Sequence, residues 1–87
     1  MIELNGKVVI VTGGAMGIGA ATAELMAQAG GKIVIADFNE ELGRKQTQKI
    51  VDAGGTAAFV KTDVSKASDV EAMVQFTVDT YGRLDAA

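Results

Sequence analysis

Residues 7–19 read KVVIVTGGAMGIG, a β-branched run that breaks into four glycines within seven positions. Each glycine weakens a regular helix or strand by about 0.5–1 kcal/mol relative to Ala, so packing them here implies that something comes very close to the backbone. Lys7 to Thr12, closed by Gly13, suits a strand buried on both faces as in a parallel sheet. Beyond the cluster, Ile18, Ala21, Leu25, Met26 and Ala29 recur at the spacing of one helix face, and Gly30-Gly31 supplies the stop. The glycines therefore fall between a strand and a helix N-terminus, where unpaired amides and about half a positive charge make a ready site for phosphate. On this reading Gly13 allows the turn off the strand, Gly17 removes a Cβ that would hold a pyrophosphate away, and Gly19 lets the helix pack close to the sheet.

The rest of the chain repeats the alternation. Lys32 to Asp37 (KIVIAD) is a second strand, and Asn39 before Glu40 and Glu41 predicts an N-cap with acids in the first turn of a second helix. That helix runs to about Ala53 on a thin apolar stripe of Leu42, Ile50 and Ala53. Thr56 to Thr62 is a third strand of weaker β-propensity, and Val70, Met73, Val74, Thr77, Val78 and Tyr81 form one face of a third helix. Its start is either Ser65 or Ser68, the latter offering a capping box with Glu71. Leu84 to Ala87 begins a fourth strand, expected to pair beside the first because the strand order reverses there. Strands alternating with helices mean parallel pairing through right-handed crossovers. Asp37 closes the second strand about 20 residues beyond the cluster, where a carboxylate can accept hydrogen bonds from both hydroxyls of an adenosine ribose. A carboxylate there repels a 2′-phosphate, and Ala15, Met16 and Phe38 supply no cation, so the residues favour NAD over NADP.

Composition excludes much else. The 87 residues are 48% hydrophobic with a net charge of −3, which suits one small globular domain. Without Cys or His there is no disulfide framework, thiol nucleophile, usual zinc site or Ser-His and Cys-His hydrolase arrangement, and no metal site is expected. Basic residues are scattered, giving no footprint for nucleic acid or an anionic membrane. No apolar run approaches a membrane span, and the start Met1-Ile2-Glu3-Leu4-Asn5 lacks the order of a signal peptide, so the cytoplasm is the expected location.

Thr12-Gly13-x-x-x-Gly17-x-Gly19, with Asp37, Asp63-Val64 and Tyr81-Gly82-Arg83-Leu84-Asp85, resembles the N-terminal part of a short-chain dehydrogenase/reductase, over all 87 residues. The resemblance implies an α/β fold, a Rossmann-type parallel sheet in βαβαβα order whose fourth strand is only begun. Residues 1–87 are then the N-terminal part of a single dinucleotide-binding domain. It also implies that Gly13, Gly17, Ile18 and Gly19 hold the pyrophosphate of NAD, that Asp37 holds the ribose, and that Asp63 with Val64 flanks the adenine. Thr12 and Phe38, beside these, complete the expected cofactor-binding set; the lesser alternative for Asp63 is a residue that only starts the third helix.

Full-length relatives transfer hydride between nicotinamide and a small alcohol or ketone, and a homo-oligomer is expected. Their Tyr-x-x-x-Lys, with its supporting Ser and Asn, lies further along than Ala87. Tyr81 has no Lys four positions on and sits on the apolar face of the third helix, so it reads as core and no catalytic residue is expected here. Binding without turnover follows. The alternative is a non-catalytic nucleotide-binding module; a methyltransferase of similar strand order has less need of these glycines, and a P-loop nucleotidase lacks its Gly-Lys-Ser/Thr.

Overall fold

Three β-branched or small-residue runs form three parallel strands, β1 (Val8–Thr12), β2 (Lys32–Asp37) and β3 (Thr56–Lys61), in spatial order β1-β2-β3. This computed structural model describes residues 3–87; Met1 and Ile2, which open the start read above against a signal peptide, lie outside them. The helices α1 (Gly17–Gln28), α2 (Glu40–Asp52) and α3 (Ala67–Tyr81) alternate with the strands in the expected βαβαβα order. Register runs Val8 against Lys32 and Lys32 against Thr56, ending with Asp37 opposite Lys61.

The period-2 alternation of the strands splits the core into two layers. Val9, Val11, Ile33 and Ile35 pack under α1 and α2 with Ala23, Ile50 and Phe59. Ile10, Val34 and Ala36 pack under α3 with Met73, Phe76 and Tyr81. Ile33, Val34 and Ile35 are wholly buried, as expected of a central strand covered on both sides. The edge strand β3 is only half-buried along most of its length, in line with its weaker propensity.

Residues 84–87 lie along the free edge of β1. The Asp85 and Ala86 amides donate to the Val8 carbonyl at 2.9 and 3.2 Å, and the Ile10 amide donates to the Ala86 carbonyl at 2.9 Å. A parallel bridge joins Val9 to Ala86. The chain thus leaves β1 toward β2 on one side and returns beside β1 on the other, so the strand order reverses there.

The helix faces depart from the sequence stripes to different degrees, most in α1 and least in α3. In α1 the packed residues are Ala23, Met26 and Ala27, while Ile18 and Leu25 are 88% and 66% exposed. The cause is Gly19, where a Cβ would collide with the Gly13 carbonyl oxygen: backbone contact with the turn, closer than any side chain permits, sets the rotation of the helix. In α2 the packed face is Gly43, Gln46 and Ile50, with Ala53 exposed, because Phe59 of β3 fills the space a Gly43 side chain would need. In α3, Val70, Met73, Thr77 and Tyr81 pack inward as the sequence stripe predicts, joined by Phe76, while Val74 and Val78 are 37% and 40% exposed. Neither Ser65 nor Ser68 caps α3; the N-cap position is Lys66 without a side-chain bond. The Asp69 carboxylate instead turns back to accept from the Asp63 amide at 2.9 Å. Among the described residues no helix is long and apolar enough to cross a membrane.

Candidate functional site

The three strands point the same way, so their C-terminal ends share one edge of the sheet. Thr12 ends β1, Asp37 ends β2, and Asp63 follows β3 by two residues. Every residue expected to hold the dinucleotide lies on this edge or on the first turn of α1. The sheet gathers there what the sequence separates by 52 positions, from Thr12 to Val64.

The glycine loop leaves β1 with its Gly13 amide still bonded to the Ala36 carbonyl of β2 at 2.8 Å. Gly13 (φ 68°) and Gly17 (φ 60°) both take left-handed backbone conformations that a side chain would strain, and an added Cβ at either would meet open space. Gly14 is buried, and an added Cβ would be in tight contact with the Val11 carbonyl oxygen at 3.0 Å and the Ile35 side chain at 3.1 Å. Gly19 brings α1 close to the end of β1 through the turn itself, where its missing Cβ would meet the Gly13 carbonyl. The loop is folded back on itself while its outer surface, at Gly17 and Ile18, faces solvent.

The first helical amide to find a carbonyl is that of Ala20, on Met16 at 3.2 Å, which leaves the amides of Gly17, Ile18 and Gly19 ahead of it. Met16, the N-cap residue, makes no side-chain cap, and no acid lies in the first turn. Helix α2 is the contrast. There Asn39 accepts from the Leu42 amide at 3.0 Å, and Glu40 and Glu41 sit in the first turn, as the sequence predicts. One helix neutralises its positive end with its own side chains; α1 leaves that end bare.

Asp37 ties the loop to the strand. One carboxylate oxygen accepts from the Ala15 amide at 3.2 Å and the other from the Asn39 amide at 2.9 Å. A carboxylate offers about four lone-pair directions, so two remain for further donors. The end of β3 is held beside it, since the Thr62 amide donates to the Asp37 carbonyl at 3.0 Å. Asp63 accepts from both the Ser65 hydroxyl (2.6 Å) and the Ser65 amide (3.0 Å), bonds that hold its carboxyl below the ordinary range. Phe38 and Val64, like Met16, are apolar side chains left exposed on this edge.

Two participants were not legible in the sequence. The Ala15 amide fixes Asp37 across 22 residues, and no property of an alanine side chain announces that. Lys61 stands opposite Asp37 in the register, with its ammonium 5.1 Å from the centre of the Phe38 ring. The sequence reading carries the third strand on to Thr62, so aligning strand ends would have set Thr62, not Lys61, opposite Asp37.

Tyr81 packs in the α3 layer near Lys32, whose ammonium is 5.9 Å from its ring centre. Lys32 opens β2, so this pair lies at the sheet edge opposite the glycine loop. Burial pushes the Tyr81 hydroxyl above its ordinary pKa. A shallow groove between α1 and α2 lies at that same opposite edge, beside Gly54 and Gly55, and is bridged by Lys49 and Glu24 at 3.1 Å.

Comparison with known proteins agrees with this geometry. A family model described as short chain dehydrogenase matches residues 7–86. Tropinone reductase-like 1 of Erythroxylum coca is 52% identical over 83 residues, covering 95% of this chain and 29% of that protein. An uncharacterized oxidoreductase of Thermotoga maritima is 48% identical over 82 residues, 94% of this chain and 32% of its own length. Among solved structures, hydroxysteroid dehydrogenase from Escherichia coli superposes with a TM-score of 0.95 at 30% identity, over 97% of this chain and 36% of that one. The chain thus spans about a third of the length of the relatives it matches. With the glycine loop, the reversing strand order and the family match in agreement, the chain belongs to the short-chain dehydrogenase family.

Proposed function

We propose that this chain is the NAD-binding part of a short-chain dehydrogenase/reductase, and that the whole protein transfers hydride between NAD(H) and a small alcohol or ketone. The family as a whole uses NAD(H) or NADP(H). The observation that carries the reading is the bare N-terminus of α1, with no cap and no acid, set behind two left-handed glycines at the point of strand reversal. A diphosphate supplies the negative charge and the acceptors this end lacks.

When bound, the dinucleotide supplies the hydride carrier; this chain's residues do the holding. The amides of Gly17, Ile18 and Gly19 donate to the diphosphate, and the absent Cβ of Gly17 leaves them reachable. Asp37, already oriented by Ala15 and Asn39, offers its remaining lone pairs to the ribose hydroxyls. Asp63 and Val64, at the end of β3, flank the adenine, with Thr12 and Phe38 completing the edge. Tyr81 takes no part in proton transfer, because it packs, partly buried, at the opposite edge of the sheet. Association into a homo-oligomer belongs to the same proposal.

Isothermal titration of NAD, NADP and ADP into the wild-type chain and Asp37→Ala tests this. Tighter binding of NAD than of NADP by wild type, with that preference lost in the variant, supports the ribose assignment. Unchanged binding by the variant removes that assignment.

A further inference from the structure

Asp37 has a cation opposite it. The register places Lys61 across from Asp37, and neighbouring parallel strands are about 4.8 Å apart. Period-2 alternation puts Lys61 on the same sheet face as Ala57 and Phe59, the face carrying α1 with its bare N-terminus. The Lys61 ammonium lies over the exposed ring of Phe38, the residue after Asp37, and among the described residues it makes no ion pair. Arg44, the cation over Phe59 on this face, is engaged by Glu40 at 3.0 Å. Of the cations at this edge without an ion pair among the described residues, Lys66 sits at the start of α3 beside Asp63, whereas Lys61 is the one opposite Asp37 in the register, placed to answer a new negative charge at the ribose.

We propose that Lys61 is a second determinant of coenzyme choice, whose ammonium leaves the Phe38 ring to receive a phosphate on the adenosine 2′-oxygen. The proposal rests on the nucleotide reading above and deepens it. Asp37 repels such a phosphate and Lys61 attracts it, so the two charges oppose each other and discrimination against 2′-phosphorylated nucleotide is smaller than Asp37 alone would impose. A ring face holds an exposed ammonium only weakly, and a phosphate replaces that contact with charge-assisted hydrogen bonds.

The test is a double-mutant cycle on Asp37→Asn and Lys61→Gln, titrating ADP and 2′,5′-ADP by calorimetry at low salt, with circular dichroism checking that each variant keeps its helices. Lys61→Gln should widen the wild-type preference for ADP by about fivefold, and Asp37→Asn should reverse it. The double variant should lose that reversal, and Lys61→Arg should retain wild-type discrimination. If ADP binds but Lys61→Gln weakens both nucleotides equally, or neither, this inference is overturned while the nucleotide site stands. If ADP does not bind wild type at all, both readings are overturned together.

Discussion

Gly17 and Gly19 are two positions apart and answer to different demands. Gly17 holds φ at 60° with open space where a Cβ would stand, whereas Gly19 has an ordinary φ and no space at all. Gly17→Ala should therefore fold with a loss of roughly 1–2 kcal/mol from the left-handed backbone. Its larger effect should fall on ADP, with affinity down at least tenfold, because the new methyl occupies the approach to the helix amides. Gly19→Ala must push α1 off the Gly13 carbonyl and should cost roughly 3 kcal/mol, read as a lower urea midpoint. Wild-type ADP affinity in Gly17→Ala would reduce that glycine to a turn residue.

At the scale of elements, two local bonds show how the chain fixes its ends. Removing the Asn39 cap by Asn39→Ala should cost about 1 kcal/mol, measurable by urea unfolding. The segment after α3 is clamped to β1 by Asp85, whose carboxylate accepts from Arg83 at 2.6 Å and from the Val8 amide at 2.8 Å. The Arg83 bond first, then the Val8 bond, holds the Asp85 carboxyl below its ordinary pKa. A carboxyl lowered by folding adds stability that is fully present above its unfolded pKa of about 3.9 and is lost as pH falls through the lower folded value. The stability difference between wild type and Asp85→Asn should thus be constant near neutral pH and shrink below about pH 4. A difference that persists undiminished at pH 2 would mean the charge plays no part in the clamp.

For the whole molecule, the two exposed apolar surfaces matter more than any single contact. Ile18 and Leu25 stand out on α1, and Val74 and Val78 on α3, on opposite sides of the sheet. Exposed apolar side chains on both helix layers favour association, so sedimentation of the 87-residue chain should show concentration-dependent self-association. Leu25→Gln with Val78→Gln should shift the chain toward monomer without loss of helical circular dichroism. A monomer at every concentration would refute the expectation.

The alternation of strands and helices, the glycine loop, the Asn39 cap and the place of Asp37 at a strand end were all legible in the sequence, because each follows from local periodicity or from a turn that only certain residues allow. The rotation of α1 was not: its apolar residues fit more than one face, and the choice fell to backbone contact between Gly19 and Gly13. The bond from Ala15 to Asp37 and the pairing of Lys61 with Asp37 were likewise decided only in three dimensions. Sequence determines which segments are strands and helices, since that is set within a few residues. Which side chains meet at the ribose edge depends on register between strands distant in the chain, and packing of the whole sheet alone fixes that register.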